Sequence, residues 1–357
     1  MEEEIQISVS VTEYQIETEN WLKLIKYVIK TTDSAGEHSV LRSAKDFKIL
    51  RKFLLVWWPG CIIPAIPSEY SQKNPNQALI PSCLNAYNIF LNKIIQYHYF
   101  TKSEIIEVFL KNSSEFSKAT INYKIPGYSA IAENFENNFK ENLEYQTNVD
   151  TINKLQQTKE KFLNAVKVVE NLEKIVRKNC KNVDEFKKGS SNMVNELYET
   201  EKWLKPEAEE RKVDFGDFNP GRKYEIWLID QLETLYGTIE AIGKIDELIK
   251  VREMIESSIS STNLELQKLA LGKKTLATII SNKDDILKLK QQHLDDLNAQ
   301  LKALDIIIPV ISSKLFNIDI PSIEQINSTS FDRETKNFLA LFVKDLDNIR
   351  SVINNTN

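Results

Sequence analysis

The chain has 357 residues, with 42% hydrophobic and 27% charged side chains and a formal net charge of −5. That balance belongs to an ordered protein with room for two domains, and it argues against a general nucleic-acid binder, which carries an overall basic surface. With only 9 Gly and 10 Pro there is little material for long flexible linkers.

Cys61, Cys83 and Cys180 are widely spaced, odd in number and without Cys-x-x-Cys spacing. They read as reduced structural thiols in a cytosolic or equivalent compartment. The acidic start, Met-Glu-Glu-Glu-Ile, disfavours a secretory signal and an Arg-rich transit peptide. No apolar run approaches the ~20 residues needed to cross a bilayer, since the longest candidate, residues 305–311, is short and broken by Pro309. Any membrane contact is therefore expected to be peripheral.

Ile5, Ile7, Val9 and Val11 alternate with polar residues, the period-two mark of a half-buried strand. A second strand is predicted over Trp21 to Thr31, a turn over Thr32 to Glu37 and a third strand over His38 to Arg42. From Ala44 the apolar spacing changes to three and four, through Phe47, Leu50, Phe53 and Leu54, so a helix is predicted to Val56. Pro59, Pro64 and Pro67 force a stiff loop, because each fixes φ and lacks an amide donor. Helices follow over Pro81 to Tyr97 and Ser103 to Leu110.

Two stretches organise this segment: Val40-Leu-Arg-Ser-Ala-Lys-Asp-Phe47, and Trp57-Trp-Pro-Gly-Cys-Ile-Ile-Pro-Ala-Ile-Pro67. Strand end, helix and proline loop in this order resemble the Phox-homology (PX) phosphoinositide-binding domain of the sorting nexins. In that family Arg-Arg-Tyr-x-Asp-Phe ends the strand, and a proline loop ending in lysine follows the helix. The resemblance implies a phosphate-binding arginine where this chain has Ser43 and a ring-stacking tyrosine where it has Ala44. It implies a lysine near Glu69 and a helix arginine near Cys83. Arginine suits phosphate because its planar fork donates two charge-assisted bonds. Serine and cysteine do not replace it, and Glu69 would repel the ligand. Arg42 lies one residue away, on the opposite strand face, and would need a strand bulge to enter the site. The expectation is a family frame whose pocket, at Arg42, Ser43, Ala44, Glu69 and Cys83, no longer reads a 3-phosphoinositide. Trp57 and Trp58 are either a membrane-dipping pair or a core residue beside one that covers the proline loop.

Ile125-Pro-Gly-Tyr128 breaks the chain, and Ile131, Phe135, Phe139 and Leu143 then mark an amphipathic helix over Ala130 to Tyr145. A long helix is predicted from Asn148 to Leu204, with a bend near Gly189, and a charged break from Pro206 to Pro220. A second long helix is predicted from Gly221 to about Ile280 and a third from Lys283. Pro309 is expected to kink the third and Pro321 to end a segment, with Ile320 to Ser330 an interruption before Phe331 to Ile353. Three apolar-striped helices make an elongated antiparallel bundle whose leftover apolar positions are buried most simply against a second copy.

This segment resembles the BAR domain of sorting nexins. The combined expectation is an α+β PX domain (three-stranded antiparallel sheet plus helices) over 1–127, a linker helix over 128–147 and an all-α BAR-like three-helix domain over 148–357. The resemblance implies a homo- or heterodimer and membrane contact through basic residues. Candidates are Lys187 and Lys188, the tip lysines Lys273, Lys274 and Lys283, and the cluster Lys174, Arg177, Lys178 and Lys181, which Glu170, Glu173, Asp184 and Glu185 dilute. His38, His98 and His293 lie far apart, no nucleotide-binding or zincin motif occurs, and Asp214-Phe-Gly216 lacks the other kinase elements. No enzymatic activity and no cofactor are expected. The function expected is a peripheral scaffold on anionic endosomal or other membranes, or an accessory subunit of a membrane-associated complex in which protein contacts replace lipid recognition.

Overall fold

The computed structural model describes residues 7–19, 22–66, 79–139, 149–204, 219–271 and 283–355. The chain divides into two compact units, Met1–Phe162 with Tyr236–Pro321, and Leu163–Leu235 with Ser322–Asn357.

The first unit opens with a 3-stranded antiparallel sheet of order β1-β2-β3, formed by β1 (Ser8–Glu19), β2 (Leu22–Asp33) and β3 (Gly36–Ser43). A register shift between Val11 and Glu13 bulges β1. The β2–β3 ladder runs unshifted from Asp33 opposite Gly36 to Lys26 opposite Ser43. At their turn the Asp33 carboxylate accepts from the Ala35 amide at 2.9 Å, and Gly36 takes φ +123°, a backbone state that disfavours any side chain.

Ser43 ends β3 and caps α1 (Ala44–Trp57) in a reciprocal box: the Ser43 amide donates to the Asp46 carboxylate at 2.7 Å, and the Asp46 amide donates to the Ser43 hydroxyl at 3.4 Å. Phe47, Leu50 and Leu54 form the buried face of α1. Phe47 stacks on Tyr87 of α2 (Ile80–Ile95) at 4.0 Å and meets Phe109 edge-on at 5.1 Å. Asn88 and Asn92 of α2 bond the backbone of Val11 and Val9 at 3.0 and 3.2 Å, locking helix to sheet. Then come α3 (His98–Thr101), α4 (Glu104–Lys111), α5 (Phe116–Ala119) and α6 (Tyr128–Asn138). Of the predicted linker helix, the part through Phe139 is described; residues 140–148 lie outside the described set.

Arg42 does not turn toward a ligand. It is 1% exposed, and its guanidinium donates to the carbonyls of Phe109 (2.9 Å), Val108 (3.0 Å), Leu41 (3.0 Å), Ser114 (3.3 Å) and Asn112. The last turn of α4 leaves carbonyls without a helical amide: Arg42 satisfies that of Phe109, and it shares that of Val108 with the Asn112 amide. Phe109 and Phe116 flank its charge at 5.4 and 5.6 Å.

The long helices are α7 (Val149–Leu204), α8 (Pro220–Ala270), α9 (Lys283–Lys314) and α10 (Ile320–Asn355), with a π-helical turn, Leu315–Asp319, joining the last two. Within the first unit Arg252 pairs with Asp305 at 2.7 Å and Glu265 with Lys290, so α8 and α9 run antiparallel. Lys159 of α7 pairs with Asp246 of α8 at 3.2 Å.

The expected interruption over Ile320 to Ser330 is absent, and Pro321 ends nothing: it sits in the first turn of α10. The π turn explains this. Its wider ring, closed by the Ile320 amide on the Leu315 carbonyl, relieves the clash that a proline makes with the carbonyl four residues back. Pro309 lies inside the continuous α9.

In the second unit Tyr224 of α8 stacks on Phe338 of α10 at 4.8 Å, and its hydroxyl lies 3.0 Å from that of Thr335. Asn219 donates to the Cys180 carbonyl and to Asp184, both at 2.9 Å, and Arg222 joins Asp184 to Glu225. Burial raises the Glu225 pKa despite Arg222. A Cβ on Gly221 would collide with the Cys180 sulfur, so glycine allows the start of α8 to meet α7.

Arg42→Met should strand several buried carbonyls and lower stability by about 3 kcal/mol. Arg42→Lys should recover less than half of that, because one ammonium cannot span five acceptors. Denaturant midpoints at constant slope check both.

Candidate functional site

The expected pocket positions map to the β3–α1 turn and the start of α2, and the described ones are buried or bonded within the protein. The Ser43 hydroxyl donates to the Asp46 carboxylate at 2.8 Å. Ala44 is buried beneath it, and Cys83 is fully buried. Cys83 faces Tyr27 of β2 and Tyr87, whose pKa values are both raised, chiefly by burial. Arg42 is committed to α4. Glu69 and Pro67 lie outside the described residues.

The proline loop has a different neighbourhood from the one its sequence suggests. Residues 58–64 are buried, and their neighbours within the first unit are the long helices. Arg51 of α1 donates to the Pro64 carbonyl at 2.8 Å and also pairs with Glu240 of α8. A Cβ on Gly237 of α8 would stand 2.5 Å from the Ile63 carbonyl oxygen, so the loop backbone lies directly on that helix. Gly60, at φ +79°, presses equally closely on Ile311 of α9. Trp58 is 3% exposed, with Tyr99, Phe100, Phe135 and Phe139 around it at 4.9–6.0 Å. That removes Trp58 from the membrane-contact candidates: its ring fills the junction between α1, α3 and α6.

Beneath this junction lies a buried ion pair. Lys314, the last residue of α9, donates to both oxygens of Asp319 at 2.8 and 2.6 Å across the π turn. Tyr97, Tyr99 and Phe139 lie 5.6–5.8 Å from its ammonium. Burial works against the charge, yet the Asp319 carboxylate and its hydrogen bonds outweigh it, and the Lys314 pKa lies above the ordinary lysine value. Burial pushes the neighbouring Cys61 thiol up to about 12. Trp57 is half-buried and lines a cleft of about 410 Å³ with Tyr99, Lys102, Tyr123, Asn134 and Asn137.

The basic candidates on the long helices are scattered in state. Lys174, Lys178 and Lys188 are exposed and Lys187 is half-buried. Arg177 is held by buried Glu173 at 2.6 Å, and Lys181 lies 3.6 Å from Glu185. Lys273 and Lys274 lie outside the described residues, and Lys283 begins α9, with its side chain also outside them. Sequence reasoning missed Arg51, Lys314 and Asp319. A lone lysine closing the apolar run 306–311, five residues before an aspartate, was the available signal.

Lys314→Met should cost about 3 kcal/mol or more, because it leaves Asp319 buried without its counter-charge. Lys314→Met combined with Asp319→Leu should return stability close to that of the parent, a non-additivity that thermal or denaturant unfolding measures directly.

The PX-domain family model, described as "PX domain", matches residues 30–113. Among curated protein sequences none is significantly similar to this chain. Of the solved structures, "The cryo-EM structure of the SNX-BAR Mvp1 tetramer" is similar over 95% of this chain and 99% of that one, with TM-score 0.53 at 13% identity. The likeness extends from the sheet through the long helices. The chain therefore carries a PX domain over residues 30–113 and shares its fold with that SNX-BAR structure.

Proposed function

We propose that this protein is a non-enzymatic, peripheral scaffold of sorting-nexin type that works on a membrane without reading a 3-phosphoinositide. Its PX-like domain spans 1–127, its linker helix 128–147 and its helical domain 148–357. The observation that carries this reading is the fate of the pocket positions: Arg42 caps α4, Ser43 caps α1, and Ala44 and Cys83 are buried. A headgroup phosphate binds by charge-assisted bonds from arginine or lysine, and these positions supply none.

Attachment then falls to the helices and to association. Val168 and Ile175 of α7, and Leu339 and Val343 of α10, are exposed at helical spacing in the second unit. Such apolar stripes favour a second copy or a related chain, and the structural neighbour is itself a tetramer. No helix among the described residues is long and apolar enough to cross a membrane, and no His/Cys/Asp/Glu group there is placed to hold a metal ion. The site of action is the cytoplasmic face of endosomal or other organelle membranes. The same pocket also suits an accessory subunit whose PX-BAR fold makes protein contacts, and vesicle binding separates the two.

Binding to anionic vesicles is expected to be indifferent to added 3-phosphoinositide, and Ser43→Arg alone should not create such a preference. Co-sedimentation in which the phosphoinositide is required would sink the reading, and absence of binding to any vesicle would favour the accessory subunit. Ile175→Asp with Leu339→Asp should convert an associated species to monomer in sedimentation velocity.

A further inference from the structure

Two features of the first unit lie side by side and take no part in the pocket. Lys45, Lys48 and Lys52 recur along α1 at steps of three and four, which places them on one helix face. All three are exposed, and no carboxylate among the described residues pairs with them. The one carboxylate of α1, Asp46, is buried in the cap with Ser43.

Next to this helix runs the segment 120–127. Thr120 is buried, with its hydroxyl donating to the Phe116 carbonyl at 2.9 Å, and the Tyr123 ring meets Phe53 of α1 edge-on at 5.7 Å. Thr120 and Tyr123 pin the segment to the domain, and Ile121 and Ile125 on either side of Tyr123 point outward. They are 79% and 76% exposed, among the most exposed large aliphatics of the described residues. Lys124 stands exposed between them. From Phe116 to Ala132 the sequence has no acidic residue, and Lys118 is offset by Glu115 at 2.8 Å.

Aliphatic side chains held outward on a fixed loop, beside a cationic face free of carboxylates, match the two layers of an anionic bilayer surface. Isoleucines enter the boundary between headgroups and acyl chains, while ammonium groups remain among the phosphates. We propose that Lys45, Lys48, Lys52 and Lys124, with Ile121 and Ile125, form a membrane-docking face that reads bulk anionic lipid charge. It rests on the membrane reading above and assigns the PX domain a contact separate from the pocket.

The test uses the full chain and vesicles of phosphatidylcholine with phosphatidylserine, without phosphoinositide. Lys45→Glu/Lys48→Glu/Lys52→Glu and, separately, Ile121→Asp/Ile125→Asp should each weaken binding about tenfold or more, with added salt weakening the parent further. Both sets change exposed residues, so circular dichroism should be unaltered. Cys61, Cys83 and Cys180 are buried, so an environment-sensitive dye on Ile125→Cys labels one site, and its emission should shift to the blue on vesicle addition. Undiminished binding of both variants, with an unshifted dye, overturns this face while leaving a membrane scaffold standing. Loss in the lysine variant with an unshifted dye overturns insertion of the isoleucines. A parent protein that binds no anionic vesicle overturns the face and the scaffold reading together.

Discussion

A helix that ends inside a protein must find donors for its last carbonyls, and in this PX domain that requirement is met by one guanidinium. Arg42 reaches α4 from β3 and ties the sheet, the end of α4 and the segment before α5 into one polar knot. The unshifted β2–β3 ladder sends Ser43 to the other face, where it caps α1. Two adjacent residues thus fix two helices from opposite sides of one strand. A residue engaged in this way has neither exposure nor spare donors to offer a ligand.

The proline loop shows a parallel reassignment. Its prolines stiffen the backbone, and Arg51, Gly60 and Gly237 bring that backbone onto α8 and α9. A rigid loop loses little conformational entropy on being buried, which makes it good material for a junction. Lys314 and Asp319 add a charge pair at its base that is costly to break singly. The π turn that carries them also accommodates Pro321, so one local widening of the helix answers two sequence constraints.

Periodicity made most of this fold legible. Alternation up to Val11 marked β1 but not its far end at Glu19, whereas β2, β3 and α1 were located within a residue or two, because one buried face leaves a regular apolar record. Pro321 misled because local rules treat proline as a stop, whereas a π turn precedes it and is bridged by the buried Lys314–Asp319 pair. The substitutions at Ser43 and Ala44 were visible in one dimension. The destination of Arg42 was not, since four of its five acceptors lie 66 to 72 residues away. Trp58 was ambiguous for a similar reason: rings 41 or more residues away, Tyr99, Phe100, Phe135 and Phe139, make it interior.

Gly237 carries a consequence for mechanics. A glycine within a helix gives up about 1 kcal/mol of helical preference relative to alanine, and here it leaves a notch in which the Ile63 carbonyl sits. A notch exists at one azimuth only. Rotating α8 by a single residue would present Tyr236 or Thr238 to the loop and force it away. The docked domain is thus keyed to the rotational phase of the helix beneath it. Any twist of α8 imposed from the helical side would be felt as a step, seated or unseated, rather than as a gradual slide.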